Sequence, residues 1–124
     1  MKLEATEKEI QATILHYLAI ERIFALRLNS SSFVQEYKGK KRIVRAHSGG
    51  KGVADIMAII PYGRCGSCEF SGVKAILWIE VKGPKGKQSP EQESFQQDVE
   101  RRGHRYIVAR SLEDVTRELR YLRG

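Results

Sequence analysis

Glu80 and Lys82 stand two residues apart at the end of Ala75-Ile-Leu-Trp-Ile-Glu-Val81-Lys82, a segment otherwise apolar enough to be the second central strand of a buried sheet. Side chains alternate along a strand, so this carboxylate and this ammonium project from the same face. Asp55 opens another apolar run, Asp55-Ile-Met-Ala-Ile-Ile60, whose nearly continuous hydrophobicity is typical of a strand covered on both faces. A short antiparallel connection would set Asp55 beside Glu80. Two acids converging with a lysine offer oxygen ligands to a hard divalent cation, and a positive charge to an attacking water or to phosphate oxygens. Each residue also has a plainer explanation. Glu80 and Lys82 would be worth little as an ion pair on an exposed edge strand, and an acid after glycine is a common strand-initiating turn residue.

Two further polar residues break their local apolar pattern, which matters because burying an unpartnered polar group is costly. Glu7 lies seven positions before Ile14 and eleven before Leu18. At ~100° per residue it falls within about 20° of both, which turns it toward the core side of a first helix. Glu9 falls on the opposite side from Leu18 and is the weaker candidate. Gln92 lies seven residues before Val99 and three before Phe95, on the inward face of a later helix. It is equally the third residue of a Ser89-Pro90-Glu91-Gln92 cap. The capping role and an inward role compete for one side chain, so both cannot be fully met.

The elements that position these residues follow from period and punctuation. Thr6-Glu7-Lys8-Glu9 reads as a capping box, and Ile10, Ile14 and Leu18 continue a helix from about Glu7 to Glu21. Phe24 to Leu28 is a first strand. Phe33–Tyr37 and Arg42–His47 can pair as a hairpin across Lys38-Gly39-Lys40. The Asp55 strand is expected to end at Pro61. A helix runs from Pro90 to Arg102, with Gly103 as its stop. Tyr106 to Ala109 is a last strand, and Ser111 caps a final helix whose Val115, Leu119 and Leu122 face inward. The fold is therefore α/β, in the order α, three or more strands, α, β, α. Residues 1–124 make a single domain, with 41% apolar content sufficient for one core.

Lysine and arginine number 22 against 15 acids, a formal charge of +7 that suggests an anionic partner. The excess is concentrated in Lys38, Lys40, Lys41, Arg42, Arg45 and Lys51, a window without an acid, and in Lys85 and Lys87 of the Gly83-Pro-Lys-Gly-Lys87 loop. A solvated basic hairpin and a phosphate-binding surface both fit that window. Cys65-Gly-Ser-Cys68 is half a zinc site at best, because the chain has no second such pair. A tight loop with two incidental thiols is the preferred reading. No apolar run approaches a membrane span, and Met1-Lys-Leu-Glu-Ala-Thr-Glu7 lacks the apolar centre of a secretory signal. A soluble, cytoplasmic protein that makes no use of a membrane is expected.

Taken together, Gly52-Val-Ala-Asp55, Ile79-Glu80-Val81-Lys82-Gly83 and Gln92 after a Gly/Lys loop, all behind an acidic N-terminal helix, resemble the VRR-NUC family. That family is a branch of the PD-(D/E)XK nucleases with the restriction-endonuclease core. The resemblance covers nearly the whole chain, although Val53-Ala54 stands where the family name suggests a proline before the acid, and the cysteine loop belongs to no part of the signature. It implies an α-β-β-β-α-β-α core with a central mixed sheet flanked by helices. It also implies that Asp55 and Glu80 ligate Mg²⁺ or Mn²⁺ together with the Val81 backbone carbonyl. Glu7 would complete the acidic set directly or through water. Lys82 would orient or activate the attacking water, and Gln92 would hold the lysine or the scissile phosphate, with no small-molecule cofactor. In-line attack would expel a 3′ hydroxyl and leave 5′-phosphorylated ends. Small members of this kind look like structure-specific endonucleases, so a homodimer cutting branched DNA such as Holliday junctions is the expected activity. A less selective nickase, a restriction- or phage-type nuclease, and a non-catalytic basic DNA-binding module are the alternatives.

Overall fold

A computed structural model of the chain describes residues 4–28, 32–37, 39–45, 52–62 and 73–123. Its elements run α1 (Glu7–Ile20), β1 (Phe24–Arg27), β2 (Ser32–Tyr37), β3 (Lys40–Arg45), β4 (Ile56–Tyr62), β5 (Val73–Val81), α2 (Pro90–Arg101), β6 (Arg105–Ala109) and α3 (Leu112–Arg123). Strands β1, β4, β5 and β6 form one sheet in that spatial order. β4 is antiparallel to both β1 and β5, while β5 and β6 are parallel, so the sheet is mixed as expected. β2 and β3 pair separately as an antiparallel hairpin, with Tyr37 opposite Lys40.

One face of the sheet packs on α1 and α3 and part of the other on α2, and the strand pattern says how. In β4, Ile56, Ala58 and Ile60 are fully buried, and in β5 Leu77, Ile79 and Val81 join them against Ile10, Ile14 and Leu18 of α1 and Val115, Leu119 and Leu122 of α3. The alternate residues of β5 and β6 face α2 instead. There Trp78 and Phe95 meet edge to face with ring centroids 5.1 Å apart, in a cluster with Ala54, Val99 and Tyr106. β5 therefore carries two different faces, and Glu80 lies on the one that α2 covers. Its central position, between β4 and β6, overturns the reading of Glu80 and Lys82 as an exposed edge-strand pair.

Three boundaries differ from the sequence expectations for identifiable reasons. β4 continues through Pro61 to Tyr62, because β1 reaches only as far as the Phe24–Ile59 pair and leaves that end of β4, among the described residues, with a neighbour on one side. A proline without an N–H is tolerated where no second ladder asks for one. β5 begins at Val73, pairing with Tyr62, two residues ahead of the apolar run. The hairpin strand β3 begins at Lys40 rather than Arg42, so Lys40 and Lys41 belong to the strand and not to the turn. Among the described residues no helix is long and apolar enough to cross a membrane.

Leu77 sits at the centre of this packing with no exposed surface. Leu77→Ala is expected to lower unfolding free energy by about 2–5 kcal/mol. A urea titration with unchanged slope and a lower midpoint checks this; a shift below about 1 kcal/mol would mean that β5 is not covered on the α1/α3 face.

Candidate active site

The antiparallel register of β4 and β5 pairs Ile56 with Ile79. One step further along the same ladder Asp55 falls opposite Glu80, so the strand pairing itself sets the two acids side by side. Opposed residues of this kind have Cβ atoms roughly 5 Å apart. Asp55 Oδ2 accepts a hydrogen bond from the Val81 amide at 2.8 Å, which fixes one carboxylate against the backbone of the other strand. Among the described residues Glu80 is the buried charged residue of the core, 3% exposed. Its Oε1 accepts from Gln92 Nε2 at 2.8 Å and lies 3.6 Å from Lys82 Nζ.

Gln92 reaches Glu80 without giving up its cap. Its Oε1 accepts from the Ser89 amide at 2.9 Å while the Ser89 hydroxyl accepts from the Gln92 amide at 3.1 Å, a complete capping box. The expected competition between cap and site does not arise, because a primary amide has an acceptor at one end and donors at the other. What brings α2 close enough is Gly52. It has φ +93°, and a Cβ there would run into the Glu91 carbonyl and the Gln92 amide. The segment leading to Asp55 thus lies directly on the first turn of α2.

Glu7 is exposed, not buried on the core side as its helical phase suggests, and its Oε1 accepts from the Gly83 amide at 3.1 Å. From the first turn of α1 it reaches the backbone of Gly83, two residues past the end of β5. At the N-terminus of α1 the Thr6 hydroxyl accepts from the Glu9 amide at 3.2 Å, the first half of the expected capping box. Lys85 and Lys87 are exposed on the loop after β5. Lys40, Lys41, Arg42 and Arg45 lie along β3, opposite Tyr37, Glu36, Gln35 and Ser32. Lys38, Lys51, Cys65 and Cys68 lie outside the described residues.

Electrostatically the carboxylate pair is under tension. Burial is the largest influence on Glu80, the Asp55 charge adds to it, and the Lys82 ammonium only partly offsets them, so its pKa is pushed up to about 8. The Asp55 pKa is also raised, first by burial and then by Glu7, against the opposing pull of the Val81 amide and Lys82. Glu80 Oε2 is buried and finds no donor among the described residues. Unless one carboxyl carries a proton, two acceptors face each other there. A divalent cation answers that arrangement: it binds hard oxygen atoms and removes the repulsion. Asp55 and Glu80 fit such an ion as a pair. Among the described residues no three acid, histidine or cysteine side chains converge closely enough to hold one, so Glu7 stands beside the pair and is engaged with the Gly83 backbone.

Arg110 is the participant that residue patterns did not single out. Its Nη1 donates to the Gly83 carbonyl at 2.6 Å. The available signal was positional: a cation immediately after the strand parallel to β5, at the carboxyl ends where α/β sites gather. Tyr106 is a second such residue, bonded through its hydroxyl to Gln88 at 3.2 Å and raised to about 12 by burial.

Comparison with known proteins agrees with this architecture. The VRR-NUC domain family matches residues 5–113. A solved structure of a VRR-NUC domain superposes with a TM-score of 0.58 at 20% identity, covering 94% of this chain and 98% of that one. Curated protein sequences give no match.

Two outcomes test the electrostatics. With Glu80 raised from 4.5 to about 8, the native metal-free protein holds a proton that the unfolded chain releases. This contribution is fully present below the unfolded pKa and is lost as pH rises through the folded one. In EDTA, thermal stability should therefore fall between about pH 5 and pH 8, and Glu80→Gln should flatten the fall; parallel curves for the two proteins would refute the assignment. Gln92→Glu keeps the cap acceptor but turns an acid toward Glu80, so it should lower metal-free stability at pH 8 more than at pH 5, as read by the same melts.

Proposed function

Since the chain belongs to the VRR-NUC domain family, a family of nucleases, we propose that it is a Mg²⁺- or Mn²⁺-dependent endonuclease that cuts branched DNA, four-way junctions included, as a homodimer. The observation that carries this reading is the pairing of half-buried Asp55 with buried Glu80, which has one lysine 3.6 Å away, an arrangement suited to an ion and a phosphate. Asp55 and Glu80 would hold the ion, with the Val81 carbonyl as a further ligand. When bound, the ion would supply a Lewis acid that lowers the pKa of the attacking water and neutralises charge building on the phosphate.

The chain's own residues do the rest. Lys82 projects from the same face as Glu80 with its ammonium next to the Glu80 carboxylate. There it orients the nucleophile and meets the phosphate oxygens. Gln92 fixes the Glu80 carboxylate through the Nε2 bond, and its own rotamer is locked by the cap. That arrangement is the support a precise site requires. Glu7 contributes charge and holds the loop after Lys82. Attack in line with the 3′ oxygen leaves a 5′-phosphate. Lys85 and Lys87, with Lys38, Lys40, Lys41, Arg42, Arg45 and Lys51, would follow the DNA backbone and make binding salt-dependent. A two-fold dimer would double that footprint and present two sites to the two strands of a junction.

Labelled four-way junction, flap and linear duplex, incubated with protein and EDTA, Mg²⁺ or Mn²⁺ and resolved on a denaturing gel, test this directly. Paired incisions near the branch point are expected with either metal, none with EDTA and none with Glu80→Ala. Equal cutting of all three substrates would replace the junction specificity with a general nickase. Salt-sensitive binding without cleavage under any metal would leave a DNA-binding module.

A further inference from the structure

Lys82 lies one residue beyond β5, where the sheet no longer holds the strand on both sides. Its amide still donates to the Ala109 carbonyl at 3.0 Å, but the next four residues turn away: the Gly86 amide closes on the Gly83 carbonyl at 3.1 Å. This turn rests on the lysine itself. A Cβ at Gly86 would stand 3.3 Å from Lys82 Cβ and Cδ and 3.2 Å from Glu7 Oε1, so the backbone of Gly86 packs against the aliphatic stem of Lys82. The direction of the ammonium is therefore tied to where the turn sits.

Two charged side chains from opposite ends of the chain hold that turn by a single residue. Glu7 accepts from the Gly83 amide, and Arg110 donates to the Gly83 carbonyl at 2.6 Å, the shorter of the two bonds. Arg110 is well placed to act as a fixed post. It follows directly on β6, and its own amide donates to Asp114 Oδ2 at 2.8 Å in the first turn of α3. The guanidinium is exposed, so the bond it makes contributes little to overall stability. Its effect is geometric: it links the start of α3, through Gly83 and Gly86, to the stem of Lys82.

We propose that Arg110 is a positioning residue that sets the Lys82 ammonium for the reaction, acting through the Gly83 carbonyl. This rests on the nuclease reading above, and the experiment separates the two. Arg110→Ala and Arg110→Lys are compared with the wild type in three measurements: single-turnover cleavage at saturating junction DNA, DNA affinity in EDTA, and amide hydrogen exchange at Gly83 and Gly86 without metal or DNA. For Arg110→Ala the expected result is a cleavage rate between about tenfold and 100-fold lower. Affinity should change by less than about threefold, melting should be near wild type, and exchange at Gly86 should be at least about tenfold faster. Arg110→Lys, which can still donate to the carbonyl, should recover part of the rate. An affinity loss with the saturated rate intact would overturn the proposal in favour of a direct phosphate contact, and so would unchanged exchange at Gly86. If the wild type cuts no DNA the nuclease reading fails by itself, and the exchange measurement still decides whether Arg110 holds the turn over Lys82.

Discussion

A buried carboxylate beside another carboxylate is the constraint around which this domain is arranged. The β4–β5 register, set by the apolar residues that must face α1 and α3, leaves no freedom in where Asp55 and Glu80 fall. A shift of one residue would separate them and would also turn Ile56, Ala58 and Ile60 out of the core. The same hydrophobic pattern that stabilises the sheet therefore enforces a like-charge contact at its end. The surrounding groups reduce its cost without cancelling it. The Val81 amide serves Asp55, Gln92 and Lys82 serve Glu80, and Glu80 Oε2 is still left without a donor among the described residues. A pair optimised for stability would have been replaced by apolar side chains or fully satisfied. A pair kept short of one positive partner is suited to receive one.

Backbone closeness does as much to build the site as side-chain chemistry. Gly52 brings the approach to Asp55 onto the first turn of α2, and Gly86 lets the loop after β5 lie against Lys82 and Glu7. A methyl group at Gly52 would meet the α2 backbone and force the two segments apart, whereas one at Gly86 would ask the Lys82 stem and the Glu7 carboxylate to give by a few tenths of an ångström. The helix caps extend the same logic. Ser89 fixes Gln92 at the head of α2, and Asp114 fixes the Arg110 backbone at the head of α3. Two helix starts and the β6–α3 junction thus converge near the end of β5, each contributing one side chain: Glu7, Gln92 and Arg110.

Much of this was legible in the sequence because it depends on period. Alternation placed Glu80 and Lys82 on one face of β5, the apolar run of β4 marked a central strand whose Ile56, Ala58 and Ile60 enter the core while Met57 and Ile59 on its other face stay half-buried, and helical spacing identified the inward residues of α1, α2 and α3. What could not be read is what depends on where separate elements meet. Helical phase turns Glu7 toward the core side but does not say that it meets the Gly83 backbone past the end of β5, so its exposure was missed. The dual engagement of Gln92 needs the distance between α2 and β5, which no pattern within the helix encodes. Pro61 looked like a strand end because the sequence does not say that β1 stops short of it. No pattern singles out Arg110, since its partner is the backbone of a residue far away in the chain.

The groups that hold the site divide by exposure, and that division has a mechanical meaning. Asp55, Glu80 and Gln92 are tied into buried or half-buried structure, where their bonds are protected from water and moving one disturbs packing. Glu7 and Arg110 are exposed, and bonds such as theirs add little to the folding free energy. Yet both act on the two ends of the same residue, Gly83, immediately after Lys82. Two weak restraints on one short turn can hold it in a narrow range of positions, because each blocks the motion the other permits. Stability and the placement of the turn therefore rest on different residues: the apolar core fixes the strands, while two surface bonds hold Gly83, next to Lys82, just past the end of β5. In such an arrangement the bonds at the turn can open without disturbing the packing of the sheet.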